Sequence, residues 1–290
     1  MIPYFQIPSL PIFDSIAIHP FGVLVATGIL VGATLTIRRG RKLGLEEEMV
    51  KGMIFWSVFT GFIFAHVLDV LLYQKHPDTK ALLQAIIDVR SGLSSMAGFF
   101  GAVVGMFAWC RVNKQPVLPY ADSLAYGLAT GWMFGRMGCF VAHDHPGNLV
   151  TNEWYSFLGV DYPCDQPHCR VAPTDHRWVV TANGGSPIFP RYDMGFFEVI
   201  VAGALAAFYF IAERFKPRCG FFVAAIAIYY GPVRFILDYL RVRGGEGADP
   251  RWPDNNWGLT PAQYAAVAVS LIGLILIVRV RQKTPLYPTD

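Results

Sequence analysis

Long apolar runs alternate with short charged connections along this chain of 290 residues. Each run holds roughly 18–25 residues, which is the length of helix that crosses the hydrocarbon core of a bilayer. The pattern predicts seven transmembrane helices, at about residues 16–37, 49–73, 93–110, 119–140, 194–211, 220–240 and 261–278. We therefore expect an all-α integral membrane protein that forms a single transmembrane domain.

Composition agrees with a membrane protein and narrows the classes of function. Hydrophobic residues make up 53% of the chain and charged residues only 16%, whereas about a quarter of a soluble domain is charged. The net charge of +3 is too small to indicate a nucleic-acid partner. The first apolar run is too long for the core of a cleavable signal peptide, and no positive segment precedes it.

Lysine and arginine indicate on which side of the membrane each connection lies. Most of those outside the apolar runs fall in the short connections after the first, third and fifth runs and in the segment after the last. Because such connections stay in the cytoplasm, we predict an outside N-terminus and a cytoplasmic C-terminus. For a bacterial protein this means the inner membrane, with membrane lipids as neighbours.

A polar loop of residues 141–193 interrupts the apolar pattern, with its excursion at about 148–191. Cys164 and Cys169 lie in it, and an extracytoplasmic compartment favours a disulfide between them. An alternative is a metal site built from His143, Asp144, His145, His168 and His176. Zinc ligands usually come in tighter pairs than these, so we predict no metal and no cofactor.

Two arginines, Arg136 and Arg234, lie inside predicted membrane helices. A guanidinium stays charged, and it costs about 2.5–3.5 kcal/mol at a helix centre unless something anionic offsets it. Tyr230, Arg234 and Asp238 share one helix face, so Arg234 has a candidate partner one turn away. Arg136 has none within one turn, which leaves it available for an outside anion. The alternative for both arginines is a buried ion pair that fixes helix register.

Several motifs resemble the prolipoprotein diacylglyceryl transferase family, a family of bacterial integral membrane enzymes. The family's central signature, approximately GRxGNFxNxExxG, is matched by Gly135, Arg136, Gly138, Phe140 and Gly147. Its sixth-helix pattern, roughly YGxxRFxxExxR, is matched by Tyr230, Gly231, Arg234, Phe235 and Arg241. Weaker matches are GLTPAQ at 258–263, IHPFG at 18–22 and the Tyr192–Asp193 pair. Together they follow nearly the whole chain in order.

The resemblance implies transfer of a diacylglyceryl group from phosphatidylglycerol to the lipobox cysteine thiol of prolipoproteins. The implied partners are that lipid and the prolipoprotein signal peptide. Arg136 and Arg234 would bind the phosphate, because planar guanidinium suits phosphate oxygens. Asp144 and Asp238 would hold the arginines in place, and His143 or His145 would act as the base. The substrate-binding positions implied are Tyr230, Arg241, Gly135, Gly138, Gly147, His66 and Tyr192.

The chain departs from the family pattern in the groups that handle protons. Met96 and Ala97 stand where the family has the His-Gly of an HGG motif, and a thioether takes no proton. Cys139 and Ala142 replace two asparagines, and His66 stands where an arginine is usual. Asp144 and Asp238 replace glutamates, Asp193 also stands in place of one, and Phe21 replaces a tyrosine.

Two other classes of function follow from these departures. One is a paralogue that binds phospholipid or signal segments without transfer, which the loss of the motif histidine favours. The other is a small transporter, against which the restriction of intramembrane charges to one half of the helices argues. Lipoprotein maturation in cells that lack their own transferase discriminates the first class from an enzyme.

Overall fold

The computed structural model describes residues 1–13, 16–72, 78–88, 92–150, 157–163, 180–181, 187–241 and 258–282. Within these ranges the helices are α1 Pro20–Lys42, α2 Glu47–Leu72, α3 Thr79–Ile87, α4 Ser95–Val112, α5 Val117–Ala142, α6 Met194–Glu213, α7 Phe221–Leu237 and α8 Pro261–Gln282. Each of the seven predicted apolar runs is therefore a helix. The first differs most, because the helix begins at Pro20 and ends at Lys42 rather than spanning 16–37.

Six helices of the described part of the chain are long and apolar enough to cross a membrane. They are Pro20–Lys42, Glu47–Leu71, Ser95–Val112, Met194–Glu213, Phe221–Leu240 and Ala262–Arg279. Helix α5 is not among the six although it has 26 residues. It carries two charged side chains among its apolar residues, Asp122 and Arg136, and both are buried.

A small β-structure adds to the helices, so the all-α prediction is incomplete. The strands are β1 Ile2–Pro3, β2 Leu10–Phe13, β3 Ile16–Ile18, β4 Pro146–Leu149, β5 Gly159–Pro163, β6 Val180–Thr181 and β7 Pro187–Asp193. Five of them form a sheet of order β1-β5-β7-β4, in which β6 also pairs with β7, while β2 and β3 form a separate pair. The predicted polar excursion thus contains ordered strands, since backbone groups there need partners from other segments.

Helix α3 was also missed by the hydrophobic pattern. Asp78 caps it: its side-chain Oδ1 accepts a hydrogen bond from the Ala81 N–H at 2.7 Å. At nine residues the helix is too short to cross a bilayer, so a search for long apolar runs passes over it.

The chain forms two compact units, and the first comprises Met1–Gly32, Leu128–Pro217 and Val223–Gln282. Small residues let its helices approach closely, as is common in membrane proteins. A Cβ added at Gly195 would lie 2.6 Å from the Phe140 backbone N. The start of α6 is thereby held directly against the end of α5, which is the region that carries the charged side chains described below.

The second unit includes Ala33–Gly127 and Arg218–Phe222. Its α2 and α4 pack together, and the Thr60 hydroxyl on α2 donates to the Gly101 carbonyl on α4 at 2.9 Å. A buried ion pair joins Arg39 Nη2 to Asp122 Oδ2 at 3.0 Å. The other oxygen of Asp122 accepts the Phe222 N–H at 2.8 Å, and the Arg39 guanidinium lies over the Phe222 ring.

We expect Asp122→Leu to lower the stability of the protein strongly, because it leaves Arg39 buried without its partner. Removing one partner of a buried pair costs about 3–5 kcal/mol, and thermal unfolding in detergent measures the loss. Arg39→Leu combined with Asp122→Leu should recover most of it. The matched control is Glu47→Gln, which breaks the exposed pair of Arg41 and Glu47 and should leave the unfolding temperature unchanged. Equal unfolding temperatures for Asp122→Leu and the control would contradict this account.

Candidate active site

The centre of the site is a charge network in which one carboxylate serves two arginines. Arg136 Nε on α5 lies 2.6 Å from Glu198 Oε2 on α6. Arg234 Nη1 on α7 lies 3.3 Å from the other oxygen, Glu198 Oε1. All three side chains are buried, at 7%, 7% and 1% exposure. Glu198 therefore ties three helices of the first unit together through its two oxygens.

The network continues from α7 into the start of α8. Arg234 Nη2 lies 3.5 Å from Asp238 Oδ1, in the 3₁₀ turn Asp238–Leu240 that follows α7. The Thr260 hydroxyl donates to Asp238 Oδ2 at 2.8 Å. Gln263 joins this group from α8, where its Oε1 accepts the Thr260 N–H at 3.1 Å. Each oxygen of Asp238 thus faces a different partner.

The predicted Arg234–Asp238 pair is confirmed. Arg136 has no acidic partner within one turn of its own helix, as expected, but the inference that it is left free for an outside anion is wrong. Arg136 pairs with Glu198, which the sequence reasoning did not select. The sequence could have identified Glu198, because it stands alone among apolar residues in the interior of α6. Burying a carboxylate there costs about as much free energy as burying a guanidinium. The two positively charged groups are therefore offset within the protein itself.

Geometry at Glu198 and Asp238 leaves part of their hydrogen-bonding capacity unused. Glu198 Oε2 and Asp238 Oδ1 are buried, and neither has a hydrogen-bond partner within the described residues, although each lies close to a guanidinium. Buried polar atoms are normally hydrogen-bonded, so these contacts are electrostatic rather than well-directed.

His143 occupies a second, separate cluster. It directly follows α5 with a φ of +50°, the left-handed conformation that often ends a helix. Its Nδ1 lies 2.6 Å from Asp193 Oδ2, and the Tyr162 hydroxyl donates to the same oxygen at 2.7 Å. Burial and the neighbouring Asp193 carboxylate raise the pKa of the Tyr162 hydroxyl, which keeps this donor neutral. Asp193 also caps α6 through the Phe196 N–H at 3.0 Å.

In this position His143 packs in the protein interior. It is fully buried, and its ring lies against the rings of Tyr4 and Phe5, with centroids 4.6 and 4.8 Å away. Its Nε2 has no hydrogen-bond partner within the described residues. A base that must exchange protons with a substrate needs access, which this environment restricts.

Asp144 and His145 lie at a more open position beside Cys139. The side chains of His145 and Asp144 are 32% and 42% exposed, and Cys139 is buried. One ligand atom from each of the three lies within 4.8 Å of the others. Arg136 Nη1 donates to Cys139 Sγ at 3.8 Å. Burial raises the pKa of the Asp144 carboxyl, while His145 and Arg136 act in the opposite direction.

The glycines predicted to bind substrate fall into two kinds. A Cβ at Gly147 would lie 2.5 Å from the Leu240 carbonyl oxygen and 2.9 Å from that of Tyr192, and one at Gly138 would lie 3.0 Å from the Phe21 ring. These two glycines therefore allow close packing. A Cβ at Gly135 would meet nothing within 4 Å, so open space remains beside it.

The other predicted binding residues lie in different places. Tyr230 packs its ring against that of Trp132, with the ring centroids 4.8 Å apart. Gly147 and Arg241 form a backbone bridge, and Tyr192 lies on β7 next to Asp193.

His66 belongs to the second unit. Its ring nitrogens contact the carbonyl oxygens of Gly92 and Ile86 at 3.2 and 2.9 Å. The predicted disulfide of Cys164 with Cys169 lies outside the described residues, and so do His168 and His176 of the alternative metal site.

Comparison with known proteins identifies what the chain resembles. A family model described as prolipoprotein diacylglyceryl transferase matches residues 9–279. A phosphatidylglycerol–prolipoprotein diacylglyceryl transferase of Cereibacter sphaeroides is 23% identical over 295 residues, which cover 96% of each chain. The enzyme of the same name from Acinetobacter baumannii is 24% identical over 268 residues, covering 92% of this chain and 89% of the relative. That from Stenotrophomonas maltophilia is 24% identical over 288 residues, covering 94% and 91%.

We expect Thr260→Val to destabilise the protein, because it removes the hydroxyl that donates to Asp238 and accepts the Gln263 N–H, while keeping the shape of the side chain. A hydrogen bond to a charged group contributes about 1.5–3 kcal/mol, and thermal unfolding in detergent measures its loss. Ser270→Ala, on α8, is the control, since within the described residues that hydroxyl donates to the Ala266 carbonyl of its own helix, at 2.8 Å. If both variants unfold at the same temperature, the Thr260–Asp238 bond does not hold α8 to the network.

Proposed function

The chain belongs to the prolipoprotein diacylglyceryl transferase family, and we propose that it transfers the diacylglyceryl group of phosphatidylglycerol to the lipobox cysteine of prolipoproteins. The observation that carries the proposal is the family match over residues 9–279, which includes every charged residue of the buried network. The acceptor is the cysteine thiol in the signal segment of a lipoprotein precursor. The protein would therefore act in lipoprotein maturation.

The reaction places two demands on the site. The cysteine sulfur forms a bond to the glyceryl carbon while that carbon's bond to a phosphate oxygen breaks. The electron pair of the broken bond leaves with glycerol phosphate, and the proton of the thiol must go to a base. A free thiol has a pKa near 8.5 and is only a few per cent ionised at neutral pH. The site must therefore stabilise a departing phosphate and promote a thiolate.

The arginines are suited to the first demand. Arg136 and Arg234 belong to one network with Glu198 and Asp238, and Arg241 follows at the end of the 3₁₀ turn. With the carboxylates of Glu198 and Asp238, these five ionised groups sum to one positive charge. The net positive charge of this site attracts a phosphate. Before substrate binds, the carboxylates pair with the arginines inside the membrane. Charge that develops on the leaving group would strengthen these contacts in the transition state, where they lower the barrier.

The second demand separates the transferase from a paralogue that only binds. Met96 cannot accept a proton, and His143 is buried against Asp193. Within the described residues, His145 remains the accessible histidine near the network, with Asp144 beside it. We propose Arg136 and Arg234 as the phosphate-binding residues, Asp238 as a residue that positions Arg234, and His145 with Asp144 at the acceptor side.

We propose seven transmembrane helices for the membrane domain, with the six most apolar helices joined by α5. Its polar side chains, Asp122 and Arg136, are buried within the protein rather than exposed along the helix, which suits a helix surrounded by others. The outside N-terminus then places residues 141–193 on the periplasmic face of the bacterial inner membrane. Phosphatidylglycerol would enter from the bilayer, and the signal segment from the same side.

This topology predicts that a reporter fused to the C-terminus is active only in the cytoplasm. A reporter inserted between residues 164 and 169 should be active only outside, because an even number of spans, four, precedes it after an outside start. Activity of alkaline phosphatase and of a cytoplasmic fluorescent protein at the two positions measures this. A periplasmic C-terminus would contradict the seven-span arrangement.

The function is tested by expressing the chain in cells depleted of their own transferase. We expect lipoprotein maturation to resume, and Arg136→Gln to reduce transfer about tenfold to a thousandfold, which corresponds to about 1.4–4 kcal/mol. Arg136→Lys should recover only part of it, because an ammonium retains charge but loses the planar fork. Wild-type protein that reaches the membrane and restores nothing would favour the binding paralogue.

A double variant separates phosphate binding from folding. Arg136→Gln strands Glu198 in part, so lost activity alone does not distinguish the two roles. Arg136→Gln combined with Glu198→Gln removes one charge of each sign and should recover thermal stability. If Arg136 binds the phosphate, activity stays low in this stable double variant. Activity that returns with stability would show instead that Arg136 is only a structural partner.

A further inference from the structure

Cys139, Asp144 and His145 combine three kinds of metal ligand at one end of α5. One sulfur, one carboxylate oxygen and one ring nitrogen lie within 4.8 Å of one another. Around a tetrahedral zinc ion, whose ligand bonds are 2.0–2.3 Å long, such atoms are about 3.3–3.6 Å apart. Movement of about one ångström would therefore close the site. Asp144 and His145 have the freedom for it, since their side chains are partly exposed.

We propose that Cys139, Asp144 and His145 bind a zinc ion whose open fourth position takes the thiol of the acceptor peptide. The proposal rests on the proposed transferase function for the role of the metal, but not for its binding. Three protein ligands with one open position are typical of catalytic zinc, whereas structural sites use four. A mixed sulfur, nitrogen and oxygen set also favours zinc over magnesium or calcium, which prefer oxygen alone.

Charge balance favours the ion at this place. A thiolate of Cys139 and a carboxylate of Asp144 supply two negative charges, which neutralise a dication. Arg136 lies next to the sulfur, with Nη1 3.8 Å from Cys139 Sγ, and Glu198 at 2.6 Å offsets part of its charge. The ion would therefore meet a local environment close to neutral, rather than an unbalanced guanidinium.

The position suits a substrate thiol that must reach the phosphate site. Gly135 precedes Cys139 by four residues and so lies on the same face of α5, and a Cβ there would meet nothing within 4 Å. Space is thus available next to the cysteine. Through Arg136 the cluster borders the network that we assign to the donor phosphate.

Met96 cannot accept the proton of the acceptor thiol, but a bound zinc ion would promote the thiolate directly. A thiol that coordinates zinc is deprotonated, and its proton is released to water. The bound sulfur then forms the bond to the glyceryl carbon as the phosphate oxygen departs with the electron pair. Cys139 stands where the resembled family has asparagine, so this chain would combine an additional ligand with the loss of the motif histidine.

The test uses the full chain purified in detergent, with cobalt(II) as a probe that reports a thiolate ligand by its charge-transfer absorption. We expect one cobalt ion per chain, displaced by zinc, and loss of the band in Cys139→Ser. Asp144→Asn and His145→Gln should each weaken binding at least tenfold. If Cys139→Ser does not fold, His145→Gln decides, since its side chain is partly exposed and its replacement perturbs little packing.

Two controls exclude other ligands. Cys219→Ser removes another buried cysteine and should leave the cobalt spectrum unchanged. Cys164→Ser with Cys169→Ser should also leave it unchanged. A charge-transfer band that survives Cys139→Ser, or that disappears with the second control instead, overturns the assignment of the site. So does the absence of thiolate-bound cobalt in the wild-type protein.

A lipobox peptide tests the open position. Addition of a peptide with its cysteine should intensify the charge-transfer band, and the peptide with serine in that place should not. Chelation should abolish transfer and zinc should restore it. Cobalt binding by a wild-type chain that fails complementation overturns the proposed transferase and leaves the site intact. Transfer that is unaffected by chelation and by Cys139→Ser overturns the metal's role and leaves the transferase intact.

Discussion

The cost of burying charge among apolar helices is the constraint on which the first unit depends. Glu198 meets it for two arginines at once, with one oxygen 2.6 Å from Arg136 and the other 3.3 Å from Arg234. Because each guanidinium stays ionised, the carboxylate must be placed accurately, and this placement fixes α5, α6 and α7 against one another. The close approach of Gly195 to Phe140 is part of the same arrangement, since it brings the start of α6, and so Glu198, near α5. The second unit applies the same rule separately, where Asp122 serves both Arg39 and the Phe222 N–H.

Sequence patterns determine those parts of the fold that depend on local spacing. Bilayer thickness sets helix length, so all seven long helices could be predicted. Helical spacing likewise identified Asp238 as the partner of Arg234. Arg136 and Glu198 lie on different helices, and no local spacing relates them. The strands were not predicted for a similar reason. β1 pairs with β5, although four long helices separate the two strands along the chain. Strands of two to seven residues also carry little periodic signal. Such pairings follow from the tertiary fold, which in turn depends on where the helices pack.

The roles of the histidines show how burial changes what a residue can do. By residue type, His143 and His145 were equivalent candidates for the base. The structure separates them, because His143 turns into the sheet through its left-handed backbone and meets Asp193 and Tyr162. Asp193 in turn caps α6, the helix that carries Glu198. His143 therefore supports the charge network indirectly, by fixing the start of that helix. His145, two residues later, is left partly exposed beside Asp144.

Arg136 lies where two kinds of chemistry meet. One side of its guanidinium contacts Glu198, and Nη1 contacts the Cys139 sulfur. On the first side a phosphate would bring negative charge to a network that carries one positive charge when Arg241 is counted with it. On the second side lie the partly exposed side chains of Asp144 and His145, which we propose face the acceptor thiol. A reaction that joins a lipid carbon to a cysteine sulfur needs the leaving phosphate and the entering sulfur on opposite sides of that carbon. An arginine that borders both positions would suit that geometry, because it attracts the entering thiolate and the leaving phosphate and takes part in neither the bond that forms nor the bond that breaks.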